Sequence, residues 1–280
     1  MNTNNNVYTV IYTTVIVVVV AAILAFVSQS LKSKQDANEK AETISQMLTS
    51  AGYGTKAELD RLDNSAKLDK YSEEIEEAFV INLGGERVRE LEGITVYGPK
   101  DLKRQNYNIK GGANKTGEPE IPVFIFKNGR TVVPIYGAGL WGPIWGYISF
   151  NSDLSIGGAY FDHESETAGL GAKIKDDPSF QAEFVGETAY FSESNVFDIV
   201  KGGAPKDAEG KSVLDNKIDA ITGATMTSQG LDAAIDTWLA AYAKYFIGSK
   251  PACDKPCCGG EKEAEEPCDG NCEHHNEVEE

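Results

Sequence analysis

Cysteine is missing from the first 252 residues of this 280-residue chain; all five, Cys253, Cys257, Cys258, Cys268 and Cys272, lie near the C-terminus. The body is therefore not a disulfide scaffold, a Cys-ligated iron–sulfur protein or a thiol enzyme. Histidine is almost absent, with only His163, His274 and His275, which excludes a His-rich catalytic metal site from the body. Positive charge is scarce: 26 Lys and Arg face 43 Asp and Glu, a formal net charge of −17. Such a chain lacks the clustered Lys and Arg that nucleic acid requires, so no nucleic-acid partner is expected. GxGxxG and the Walker A pattern are both missing, which leaves classical dinucleotide and P-loop sites unsupported. No internal repeat is visible.

What is present is uneven. Hydrophobic residues make up 41% of the chain, enough for a packed core. Residues 249–280 hold ten Asp or Glu against three Lys and almost nothing apolar, so this tail is expected to be disordered unless metal or disulfides hold it. Its cysteines, with His274 and His275, are soft-metal ligand types, but their spacing is not a regular C-x2-C pair. Disulfides, with one thiol left over, or a solvated tail are the alternatives.

The first 31 residues carry no charged side chain, and Val7 to Val27 is a 21-residue run rich in Val, Ile, Ala, Tyr and Thr. A bilayer core takes about 20 such residues as a helix. The run is longer than the apolar core of a signal peptide and no basic segment precedes it, so a retained anchor is expected. Lys32, Lys34 and Lys40 follow the span, which by the positive-inside rule places the downstream domain in the cytoplasm. Asp36, Glu39 and Glu42 dilute that cluster, and long domains translocate largely regardless of charge.

Beyond the anchor, Ala41, Ile44, Met47 and Leu48 form the apolar stripe of a helix over 35–51 that Gly52 ends, expected to stand between membrane and globule. Residues 55–80 have helical spacing (Leu59, Leu62, Ile75, Phe79), and 100–120, with four Gly or Pro, reads as a loop. Strands are expected at 123–126 and 131–136 around Asn128-Gly129, at 144–151 and 155–161, and at 197–200. A short helix opens at Asp176-Asp177-Pro178. Leu231, Ile235, Trp238, Leu239, Tyr242, Tyr245 and Phe246 mark a strong amphipathic helix. The fold class is α+β on a membrane helix.

The stretch before that last helix, Asp219 to Ser228 (DAITGATMTS), carries the most chemistry. Thr222, Thr225, Thr227 and Ser228 surround Gly223 and Ala224. A helix start offers unpaired N–H groups that suit a phosphate, and small residues allow close backbone approach. The hydroxyls can donate to phosphate oxygens, or one can be esterified. A plain hydroxyl-rich N-cap has the same look.

D-A-x-T-G-A-T resembles the flavinylation motif of the FMN-binding domain family, in which a flavin transferase uses FAD and Mg²⁺ to join FMN to the final Thr hydroxyl. The resemblance implies a covalent FMN on Thr225, with Asp219, Thr222, Gly223 and Ala224 at recognition positions. Residues 163–171, HESETAGLG, resemble the family's H-x-E-T-P-G-L-G loop beside the flavin ring, with one extra residue before Glu166 and Ala168 in place of Pro. Glu166, Thr167, Gly169, Leu170 and Gly171 match. Residues 137–150, with Gly139-Leu140-Trp141, are similar to one subfamily, the C subunits of sodium-translocating NADH:quinone reductases. Trp141, Leu140, Thr167 and Leu170 become candidate ring contacts, Trp145 a core residue, and His163 a structural one.

The resemblance covers roughly residues 1–246. The expected organisation is an N-terminal flank (1–6), a transmembrane helix (7–27), a helical stalk and start of the globule (28–99), an FMN-binding domain with antiparallel sheet (100–248) and, outside the resemblance, the acidic tail (249–280). The implied role is an electron relay, from iron–sulfur centres of partner subunits to the FMN of the B subunit and on towards quinone. Partners would be the A, B, D, E and F subunits of the Nqr complex and the flavin transferase. The resemblance places the domain outside the bacterial inner membrane, and the small, diluted charge signal yields to it. Two other readings stand beside it: the G-type flavoprotein of an Rnf electron-transport complex, and a membrane-anchored metal-binding or interaction protein working through its Cys-rich tail.

Overall fold

The computed structural model describes residues 6–191, 196–205 and 216–248; the Cys-rich tail and its candidate ligands lie outside them. The chain opens with one unbroken helix, α1 (Asn6–Ala51). Its first part is exposed and apolar, long enough to cross a membrane. Its last part carries the anticipated stripe, but not between membrane and globule: Ala41, Ile44, Met47, Leu48 and Ala51 are buried in the core. Gly52, at φ +85°, turns the chain, and Tyr53 N–H closes the helix on Leu48 O.

Two short helices follow. A Thr55–Glu58 capping box starts α2 (Lys56–Leu59), and the Asp63 carboxylate caps α3 (Asn64–Glu74). The helical spacing of Ile75 and Phe79 then misleads. Ile75–Ile81 is strand β1, paired along its length with a later strand, and that non-local pairing outweighs local spacing. Strand β2 (Arg87–Glu90) is charged and exposed, as suits a sheet edge. Residues 100–120 are not all loop. Gly98 and Pro99 open α4 (Pro99–Lys110), whose inward face includes the amides Gln105, Asn106 and Asn108. These bind the true loop: Glu120 N–H donates to Gln105 Oε1 at 2.9 Å and Thr116 N–H to Asn108 Oδ1 at 2.9 Å.

The hairpins fall where the sequence places them. They are β3 (Ile121–Phe126) with β4 (Thr131–Ala138), and β5 (Pro143–Phe150) with β6 (Ile156–His163). The six strands form one antiparallel sheet in the order β2-β1-β3-β4-β5-β6. Short helices α5 (Lys173–Asp176) and α6 (Pro178–Ala182) lead to a parallel pair, β7 (Asp198–Val200) and β8 (Lys217–Asp219). Helix α7 (Thr225–Gly248) ends the described chain.

The pleat of β5 assigns the two faces. Trp145 and Ser149 meet α1: Trp145 Nε1–H donates to Gln46 Oε1 at 3.3 Å and Ser149 Oγ–H to Ser50 O at 2.6 Å. Phe150 meets α7 through Phe246, ring centroids 5.1 Å apart. Trp238 of α7 is fully buried and donates to Tyr136 O at 2.9 Å. Contacts advance along α1 from Gln46 beside the start of β5 to Ala51 O, which accepts from Asn128 and Arg130 at the far hairpin. The end of the sheet that α1 reaches first is therefore the β4–β5 turn and the end of β6, paired as Ile144↔His163.

Candidate functional site

Three segments converge at that end of the sheet. The first is the β4–β5 turn, residues 139–142, closed by Gly139 N–H to Gly142 O at 2.8 Å. It displays Leu140 and Trp141 outward, at 51% and 67% exposure. The second follows β6. Thr167 O accepts from Leu170 N–H and Ala172 N–H, and Gly169, at φ +74°, allows the tight turn. Thr167 is exposed and Leu170 partly so.

The third is the start of α7. Ala224 N–H bonds back to Ile221 O, Gly223 takes φ +84°, and the first intrahelical bond is Ser228 N–H to Ala224 O at 3.0 Å. The N–H groups of Thr225, Met226 and Thr227 precede that bond, as in any helix start. The four hydroxyls separate by position. Thr227 and Ser228 are buried and engaged: Thr227 Oγ1–H donates to Glu166 Oε2 at 2.6 Å, and Ser228 Oγ accepts from Ile221 N–H at 3.1 Å. Thr222 is exposed in the preceding turn, and Thr225, half-buried, is the first residue of the helix.

The segments touch. Leu170 packs over Gly223, and Gly230 of α7 lies directly on Ala138 and Gly139. Gly171 is pressed between Glu166 and Thr227, and a Cβ there would overlap both. Among the motif residues Leu140, Trp141, Thr167, Leu170 and Thr222 are exposed and Thr225 is half-buried, whereas Glu166, Gly171 and Ala224 are buried; two carboxylates serve as supports. The Asp219 carboxylate accepts from Ala204 N–H at 2.6 Å and so holds the 202–204 turn. Glu166 is buried, its carboxylate oxygens accepting from Trp141 N–H at 2.9 Å and from Thr227.

Sequence reasoning singled out neither Thr227 nor Ser165 as supports. At 100° per residue Thr227 lies about 200° around the helix from Thr225, so one facing out turns the other in. Ser165, the extra residue of its loop, donates to Trp141 O at 3.1 Å. His163 is structural as expected: its Nδ1 accepts from Glu166 N–H at 3.1 Å. Among the described residues no group of three or more His, Cys, Asp or Glu is placed to hold a metal ion.

A small-residue turn feeding an accessible hydroxyl at a helix start, facing exposed apolar side chains, fits a nucleotide with a phosphate end and a flat ring. Residues 139–240 match the FMN-binding domain family, which is the class of protein this fold and site define. The C subunit of the Na(+)-translocating NADH-quinone reductase of Vibrio parahaemolyticus is 26% identical over 235 residues, covering 78% of this chain and 84% of that protein. The crystal structure of the corresponding C subunit from Parabacteroides distasonis superposes with a TM-score of 0.59. It is 32% identical, and the match covers 77% of this chain and 96% of that one. NqrC of Shewanella oneidensis, 23% identical, shares the fold with a TM-score of 0.57 over 76% of this chain and 98% of that one. The chain belongs to the NqrC family, the C subunits of Na(+)-translocating NADH-quinone reductases.

Proposed function

We propose that this chain is the FMN-carrying subunit of a Na⁺-translocating NADH:quinone reductase, with FMN joined to Thr225 by a phosphodiester, and that it relays electrons between partner subunits. The observation that carries the attachment point is the sorting of hydroxyls around α7. Thr227 and Ser228 are buried and hydrogen-bonded elsewhere, and Thr225 alone combines accessibility with the first position of the helix. A phosphate on its Oγ1 would meet the unpaired N–H groups and the positive end of the helix dipole.

The remaining residues have separable tasks. Gly223 and Ala224 give a turn without bulk, Thr222 adds an exposed hydroxyl beside the phosphate position, and Asp219 shapes the approach by holding the 202–204 turn. Leu140, Trp141 and Leu170, with Thr167, form the apolar wall for the ring. Gly139, Gly169 and Gly171 let that wall close up. Bound FMN supplies reversible one- and two-electron chemistry, while the protein fixes its position, potential and access to water. A covalent link keeps the cofactor through turnover without relying on affinity.

The membrane helix and the site agree with this role. The site lies at the end of the sheet that α1 reaches first, which supports a reading in which it turns towards the bilayer and partners embedded there. The domain stands outside the cytoplasmic membrane in this reading, and NADH and Na⁺ bind on other subunits. The test is mass spectrometry of the tryptic peptide Ile218 to Lys244 from protein made with a flavin transferase. The expected result is a mass raised by FMN less water, mapped to Thr225 and lost in T225A. An unmodified peptide from a host that carries the transferase would overturn the reading.

A further inference from the structure

Glu166 belongs by resemblance to a loop beside the flavin, yet its carboxylate turns away from the exposed surface. It is 8% exposed. One oxygen accepts from Trp141 N–H at 2.9 Å and the other from Thr227 Oγ1–H at 2.6 Å. Its own N–H is held by His163 Nδ1 at 3.1 Å, at the end of β6. The neighbouring Ser165 takes the other polar group of Trp141, donating to its carbonyl at 3.1 Å. Gly139 and Gly171 lie so close to the two carboxylate oxygens that a Cβ at either position would overlap them. One side chain thus spans the β4–β5 turn and the first turn of α7, while its backbone is fixed to the sheet.

We propose that Glu166 is the positioning residue of the site. It sets the spacing between the Trp141 backbone and the first turn of α7, and so between the exposed indole and the Thr225 hydroxyl. Glycine at 139 and 171 is then needed for access to this carboxylate rather than to the cofactor. A charge-assisted hydrogen bond is stronger than a neutral one, and burial makes its loss more costly. The inference rests on FMN at Thr225, and its test also reads the protein without flavin.

The full-length chain, made with and without a flavin transferase, is compared with E166A, E166Q and T227V. Gln keeps both ties, its carbonyl accepting from Trp141 N–H and its amide donating to the Thr227 oxygen. Two readouts apply: the visible circular dichroism of bound FMN, which reports ring setting, and hydrogen exchange at the Trp141 amide. E166A should alter the dichroism and speed Trp141 exchange roughly tenfold or more, the loss of one strong hydrogen bond. E166Q should restore both. T227V cuts only the tie to α7, so it should alter the dichroism while Trp141 stays protected, and this holds as the test if E166A does not fold. Wild-type dichroism in T227V, wild-type values for both readouts in E166A, or an E166Q that behaves like E166A would each overturn the proposal. A wild-type chain without flavin would sink the cofactor reading instead, and Trp141 exchange would still decide the role of Glu166.

Discussion

Gln46, on the helix that begins with the apolar span, donates through Nε2 to the buried Asp162 carboxylate at 2.8 Å, on the last strand of the sheet. Lys175 holds the other oxygen of Asp162 at 2.8 Å, and Trp145 Nε1–H donates to Gln46 Oε1. The membrane helix is thereby joined to the sheet by a buried polar chain next to the site. Replacing Asp162 by Ala takes the shorter acceptor from Gln46 Nε2, which keeps its 3.2 Å bond to Glu42 Oε1, and removes the carboxylate that pairs with Lys175. The Lys175 side chain is 38% exposed, so most of the cost comes from the buried amide. A loss of about 2 kcal/mol is expected, seen as a lower unfolding midpoint. An unchanged midpoint would mean that the Asp162 tie adds nothing to what the apolar stripe and the bonds to Ser50 and Ala51 already supply.

Asp236, on α7, has one buried carboxylate oxygen without a hydrogen-bond partner. Burial, then Asp232 and Asp198, pushes its pKa up to about 6 from 3.8. A raised carboxyl pKa favours the fold at low pH. The folded chain keeps a proton that the unfolded chain releases between about pH 4 and 6, and this advantage is lost as pH rises through 6. Partial solvent access reduces the effect to about 1 kcal/mol. D236N should remove that part of the decline: its midpoint should change less than wild type between pH 4.5 and pH 7.5. Parallel profiles would show that Asp236 does not titrate in this window.

Helix α7 rides on β4 through Gly137 against Ala234 and Gly230 against Ala138. In G230A the new methyl meets the Ala138 carbonyl, backbone that cannot rotate away. Alanine favours a helix by about 1 kcal/mol over glycine, but overpacking costs about 1–3 kcal/mol. A net loss of stability is expected in thermal unfolding, with the exposed Q229A as the neutral control. A more stable G230A would show that the helix can lift off β4 freely.

Trp141 is 67% exposed, and its backbone is held at both polar groups. W141A should leave the unfolding midpoint within about 0.5 kcal/mol of wild type. In flavin-loaded protein the same change should brighten FMN fluorescence, because a nearby indole quenches an excited flavin. Unchanged emission would remove Trp141 from the ring wall.

Both central hairpins were legible because Asn128-Gly129 and the runs of Val, Ile and Phe are local signals. Helix α7 was legible because its buried face recurs at helical spacing. Helix α4 was hidden because Gln105, Asn106 and Asn108 bury amides where a periodic reading looks for aliphatic side chains. Strand β1 was hidden because Glu76 and Glu77 break the alternation, and only the distant β3 reveals its pairing. At the site, the resemblance to the FMN-binding family announced which segments belong together; residue types alone did not, since a hydroxyl-rich helix start suits a plain N-cap equally well. The burial of Glu166 and the bond of Asp219 to the 202–204 turn were not readable, because a carboxylate beside a glycine loop suits a ligand contact and a support equally well. Only the positions of Thr227, Trp141 and Ala204 separate the two.

The unbroken run of α1 gives the domain a phase as well as an anchor. Residues 28–38 are exposed between the apolar span and the core, about 16 Å of helix at 1.5 Å per residue. Removing one residue there turns the whole domain by about 100° about the helix axis and draws it in by about 1.5 Å. Removing seven returns it to within about 20° of its first heading. A domain on a slack tether would ignore such register changes. One keyed to its anchor keeps a single compass bearing, and, on the proposed relay role, electron delivery should suffer more from removing two residues than from removing seven, even though the longer cut draws the domain in by about 10 Å.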